Sequence, residues 1–239
     1  MVSQCAPLFE VTSLTKRYGE QIVLSKVGFD IREGEVLGLI GPNGAGKTTL
    51  LEALAGLLPI DQGTVAWRNV PVAPARRREA MFYVPDSIRP YADQPVARVL
   101  SFVAEVYGRS QDFVASVVVR VGLNAVLAKR VYSLSKGFNR RLMLALGFLA
   151  PHPLLLMDEP FDGFDLKQTR EMMAVLRHEA AQGRTLLLSI HQLADAERMC
   201  DRFVLLSAGE VRGVGTLDEL RARIDAPHAR LEEVFLALA

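Results

Sequence analysis

The chain has 239 residues, 50% of them hydrophobic, and a formal net charge of +1. That is enough to bury one sizeable α/β core, and the balanced charge gives no global field for nucleic acid, so none is expected as a partner. The longest apolar region, Leu142 to Met157, is interrupted by Pro151, His152 and Pro153 and reads as a helix followed by a strand, not a membrane span.

Cys5 and Cys200 stand far apart in no metal-like spacing, which fits a reducing cytosol. The N-terminus has no basic segment followed by an apolar stretch, so no secretory signal is expected.

Phe9 to Leu14 alternates like a strand, and Ile22 to Ile31 reads as a second. Gly34-Glu35 forms a turn before Val36–Ile40, a buried strand, and a helix from Lys47 to Leu57 ends near Gly56 and Pro59. Gly63–Trp67 and Met81–Val84 are further strands, the second closed by Pro85, and the basic run Arg76–Arg78 between them is expected to be a solvated turn. From Pro95 to about Ala150 the pattern turns helical. Val96, Val99, Leu100, Val103 and Val106 share one face, a second helix covers about Gln111 to Leu123, and a third starts at Ser135. Leu154–Met157 is again a buried strand, Leu166–Ala181 a helix ended by Gly183, and Thr185–Ile190 another buried strand. Phe203–Ser207 and Val211–Val214 flank the hairpin signal Ala208-Gly209-Glu210. Thr216 and Glu219 form a capping box, and a last helix covers about His228 to Leu238.

Two segments carry chemistry. Gly41-Pro-Asn43-Gly44-Ala45-Gly46-Lys47-Thr48-Thr49 follows a buried strand and opens a helix, the setting a phosphate-binding loop needs. Its glycines let backbone amides turn inward on phosphate oxygens, and the helix N-terminus adds its dipole. Lys47 is placed to reach the β- and γ-phosphates and Thr48 to hold Mg²⁺. Asn43, Ala45 and Thr49 complete the nucleotide-contacting stretch. In Leu154-Leu-Leu-Met-Asp158-Glu159, acids emerge at the C-terminal end of a strand, where ligands bind in open α/β sheets. Asp158 is the expected Mg²⁺ ligand and Glu159 the expected general base toward water.

Further motifs keep a fixed order around these. Tyr18 precedes the first hairpin, Leu134-Ser135-Lys136-Gly137 precedes the Asp-Glu strand, Asp162-Gly-Phe-Asp165 follows it, and Ser189-Ile-His191 ends the next strand. From about Phe9 to Gly215 this order resembles the nucleotide-binding subunit of ATP-binding cassette (ABC) transporters. The resemblance implies an α/β P-loop NTPase core with a mixed sheet, an antiparallel β subdomain and an inserted helical subdomain. It implies a single domain over 1–239, with the core at about 1–86 and 151–239 and the helical insert at about 87–150. It further implies that Tyr18 stacks on adenine, that Ser135 and Gly137 bind the γ-phosphate of ATP held by a second subunit, that Asp165 touches that subunit, and that His191 contacts the γ-phosphate. The expected ligands are ATP and Mg²⁺. The expected partners are a second nucleotide-binding subunit, the same or related, and a separate transmembrane permease, which would keep the chain cytoplasmic and peripheral on the inner face of the membrane.

The chain departs from the family pattern in places. Asp86 follows Tyr83-Val84-Pro85 where Gln is usual; it is expected to ligate Mg²⁺ through oxygen. Lys136 and Phe138 replace residues of the usual Leu-Ser-Gly-Gly-Gln, and Asp162 stands where a small residue is common. The ending Leu231-Glu-Glu-Val-Phe235-Leu is similar to that of many export subunits. The resulting reading is an ATPase subunit of an ABC exporter. Two others stay open: a soluble mechanochemical ATPase acting on nucleic acid or ribosomes, and a nucleotide-gated protein that does not hydrolyse.

Overall fold

Short apolar strands bury both of their faces here, and alternate residues feed different cores. In β7 (Leu154–Asp158), Leu154 and Leu156 join one hydrophobic cluster while Leu155 and Met157 join another. The same division runs through β3 (Val36–Ile40) and β8 (Thr185–Ile190). A period-two side-chain alternation inside a sheet covered on both sides requires this. The computed structural model describes residues 7–86 and 88–239; Cys5 lies outside them.

In chain order, β1 (Phe9–Tyr18) and β2 (Gln21–Ile31) form an antiparallel hairpin. β3, the glycine loop and α1 (Lys47–Ala55) follow, then β4 (Gln62–Trp67), β5 (Val70–Pro71), α2 (Pro74–Arg77) and β6 (Met81–Val84). Three helices, α3 (Val96–Val106), α4 (Gln111–Val121) and α5 (Lys136–Leu149), separate β6 from β7. After β7 come α6 (Leu166–Ala181), β8, α7 (Leu193–Met199), β9 (Arg202–Ser207), β10 (Glu210–Gly215), α8 (Leu217–Arg223) and α9 (Leu231–Leu238). The strands make a four-stranded antiparallel sheet, β2-β1-β4-β5, and a six-stranded mixed sheet, β10-β9-β3-β8-β7-β6. In the larger sheet only β10 pairs antiparallel. One core lies between the two sheets with α1; the other fills the opposite face against α3 to α9.

Differences from the sequence expectation have local causes. β1 continues past Leu14 to Tyr18, because register shifts near Ser13 (φ 51°) interrupt the alternation without ending the pairing. The run Arg76–Arg78 is not a fully solvated turn: Arg77 is 2% exposed. Its guanidinium donates to Ala53 O (2.6 Å) and Val72 O (3.3 Å), one of them a carbonyl at the end of α1. The last helix starts at Leu231, not near His228. Among the described residues, no helix is long and apolar enough to cross a membrane.

Candidate functional site: a nucleotide-binding edge

Strand order brings the chemistry together. β3 pairs with β8 and β8 with β7, all parallel, with Ile40 opposite Ile190 and Asp158 opposite Ser189. The glycine loop after Ile40, the acids ending β7 and His191 after β8 therefore leave the sheet at one carboxyl edge.

At the loop, Gly46 is the N-cap of α1 with φ 101°, a left-handed conformation, and offers no side-chain cap. The first amides of α1 are thus left for an anion. Asn43 and Gly44 are exposed, Ala45 is buried with its carbonyl accepting from Gly209 N (3.2 Å), and Thr49 lies in the first turn of α1. Lys47 is buried, and Nζ donates to Gly41 O (2.8 Å) and Pro42 O (3.1 Å). Burial holds its ammonium below the usual lysine range, against the opposing pull of Glu159 and Asp158.

Asp158 is gripped from two sides. Thr48 Oγ1 donates to Oδ2 (2.7 Å) and Ser189 Oγ donates to Oδ1 (2.5 Å). The Tyr83 phenol is pushed up by burial, then by the charge of Asp158 and a hydrogen bond to it, so it remains a neutral donor. Ser189 also accepts the backbone N–H of Glu159 (2.9 Å). Glu159 has φ 48°, uncommon for a residue with a side chain, and this bond helps hold it there. Its Oε2 lies 2.5 Å from His191 Nδ1. Glu159, Asp162, Phe164, Ser189 and His191 border a cavity of about 120 Å³.

The donor set fits Mg²⁺. A hydroxyl and a carboxylate are hard oxygen ligands, and Mg²⁺ takes one or two carboxylates plus phosphate and water. No cluster of three or more His, Cys, Asp or Glu side chains suited to a metal occurs among the described residues.

The remaining expected residues are spread around this edge. Tyr18 ends β1, half exposed, with Lys16 Nζ 5.1 Å from its ring centre. Ser135 is the N-cap of α5 and accepts from Phe138 N (3.4 Å); Asp165 is the N-cap of α6 and accepts from Gln168 N (2.8 Å). Gly137 lies in the first turn of α5. The Asp86 carboxylate pairs with Arg140. Arg140 is 3% exposed and also donates to Pro85 O (3.2 Å) and Asp158 O (3.4 Å). Sequence reasoning missed the parts played by Ser189, Tyr83 and Arg140. The one available signal was Ser189, a hydroxyl that interrupts the apolar run of residues 186–190.

A glycine loop between strand and helix, facing a strand that ends in paired carboxylates, defines a P-loop nucleotide-binding domain. A family model described as ABC transporter matches residues 24–162. The chain belongs to that family, as an ATP-binding subunit. It is 32% identical to ABC-type transporter ATP-binding protein EcsA of Bacillus subtilis over 97% of this chain and 96% of that protein. It is 35% identical to Nod factor export ATP-binding protein I of Burkholderia orbicola, over 95% and 73% respectively. A solved ATP-binding subunit of an ABC transporter superposes with a TM-score of 0.88 at 32% identity, covering 97% of this chain and 99% of that one.

Proposed function

We propose that the chain hydrolyses Mg-ATP at a site completed by a second nucleotide-binding subunit, and that this drives a separate membrane permease, in the direction of export. We read residues 1–239 as one such ATPase domain, its core at about 1–86 and 151–239 and its helical insert between. The observation that carries hydrolysis is the Glu159–His191 contact beside the Thr48–Asp158 pair.

Lys47 and the loop amides would bind phosphate, and Thr48 and Asp158 would hold Mg²⁺, which supplies charge neutralisation on the phosphates. A carboxylate oxygen accepts, so Glu159 Oε2 accepts a hydrogen bond from the Nδ1–H of His191; this fixes the ring tautomer and leaves Nε2 for substrate. Glu159 would then take a proton from the attacking water, and the rest of catalysis is positioning and electrostatics. Ser135 and Gly137 would meet the partner's γ-phosphate, Asp165 the partner surface, and Tyr18 the adenine. Asp86 would reach Mg²⁺ only by leaving Arg140, so its metal role would come with a rearrangement of that pair.

A groove of about 600 Å³, lined by Phe82, Ile88, Tyr91, Phe102, Val106 and Met143 among others, supports a permease partner. Pro85 and Ile88, flanking the Asp86 segment, form part of its wall, so a movement of Asp86 on nucleotide binding would be passed to the groove. The chain would then sit on the cytoplasmic face of a membrane through that partner. The relative named for export supports the direction.

Glu159→Gln keeps the shape of the site and removes the base. The expected outcome is retained ATP binding, steady-state phosphate release reduced by about 10²-fold or more, and ATP-dependent dimers in light scattering. Phosphate release near the unmodified rate would remove Glu159 from the base role. Only monomer at saturating ATP would count against a shared site.

A further inference from the structure

Lys136 and Arg140 stand one helical turn apart on α5, and each holds a carboxylate from a different loop of the nucleotide edge. Lys136 Nζ lies 2.5 Å from Asp162 Oδ2, and Arg140 pairs with Asp86. Asp86, Lys136 and Asp162 are all departures from the family pattern. Together with Arg140 they resolve into two charge pairs.

Both pairs are built into close packing. The Lys136 stem crosses Gly163, which has φ 85°; a Cβ there would sit 2.6 Å from Lys136 Cγ. A Cβ on Gly137 would lie 3.2 Å from Gly163 O, so the two backbones are nearly in contact. Asp162 N donates to Glu159 O (3.0 Å), which joins the pair to the turn that carries the general base. One turn along α5, Asn139 Nδ2 donates to Ile88 O (2.9 Å), and Arg140 reaches Pro85 O and the Asp158 carbonyl. The hydrogen bond that Lys136 donates to Asp162 holds its ammonium above the usual lysine range. Burial opposes ionisation of Asp162, but Lys136 carries its carboxyl below the usual range.

We propose that these two pairs act as a clasp that fixes, within one subunit, where the Ser135–Gly137 turn stands relative to Glu159. Lys136 and Asp162 are positioning residues throughout, and Arg140 and Asp86 are so in the nucleotide-free chain, before Asp86 turns to Mg²⁺. The turn that meets the other subunit's nucleotide is ordered beforehand, so closure does not have to bear that entropy. The inference rests on the shared-site reading above. Lys136 is 63% exposed in its side chain, and so exposed an ion pair does little for folding. The clasp should therefore be read in closure and not in melting.

The test uses Glu159→Gln as background and measures the ATP concentration that half-saturates dimerisation by light scattering. Lys136→Asp or Asp162→Lys alone should raise that midpoint about tenfold, and the two combined should restore most of it. Lys136→Met and Asp162→Asn serve as milder versions. Binding of a fluorescent ATP analogue to the single chain, and the melting temperature, should not move. Single variants without a shift, or a shift that the exchanged pair does not recover, would overturn the clasp. Absence of any ATP-dependent dimer with Glu159→Gln alone would instead bring down the shared site, and the clasp with it.

Discussion

Ser189 has no exposed surface, yet two neighbouring groups of the site depend on its single hydroxyl. It donates a hydrogen bond to Asp158 and accepts one from the amide of Glu159, a residue whose φ of 48° needs outside support. Removing the hydroxyl strands a buried N–H and takes a donor from a buried carboxylate. Ser189→Ala is therefore expected to lower unfolding free energy by about 1–3 kcal/mol with an unchanged denaturant slope, measured by urea titration. A loss indistinguishable from zero would mean that water replaces the hydroxyl at both contacts. The phosphate loop and the Asp-Glu pair were legible in the sequence because each is local. Ser189, Tyr83 and Arg140 were not, because their parts arise from pairings between residues 31, 75 and 54 positions apart, formed only when strands and helix meet.

Elements differ in how much of their signal lies within themselves. β3, β7 and β8 are continuous apolar runs, and α6 has a capped start and a glycine after its end; all could be read directly. β1 was cut short in the reading because its pairing with β2 survives register shifts that its own residue pattern does not announce. Arg77 was misjudged because the carbonyl it caps belongs to α1, across 24 positions. Helix α8 is the opposite case, with both halves of a capping box present: Thr216 Oγ1 accepts Glu219 N at 3.2 Å and Glu219 Oε2 accepts Thr216 N at 2.7 Å. Thr216→Ala should cost about 1 kcal/mol. For a domain of this size that is a fall in melting temperature of about 2–4 °C by calorimetry.

At the scale of the molecule, Arg140 ties the nucleotide edge to the apolar groove: it donates to Asp158 O and to Pro85 O, and Pro85 lines the groove. Phe102, 48% exposed on α3, packs edge-on against Tyr91 with ring centres 5.5 Å apart, on the groove side. A charge at this position should spare the fold, because the side chain is half in solvent. Phe102→Asp is expected to keep its melting temperature and ATP binding while failing to co-purify with the proposed permease partner. Undiminished recovery of the complex would move the docking surface elsewhere.

Thr48 and the Asp158 carboxylate to which it donates lie 110 positions apart, with the whole helical stretch between them. A growing polypeptide halted on the ribosome before β7 already carries its glycine loop, yet lacks the carboxylate to which Thr48 donates. The histidine emerges later still. The proposed hydrolysis would thereby be withheld during biosynthesis until the central sheet has been threaded shut.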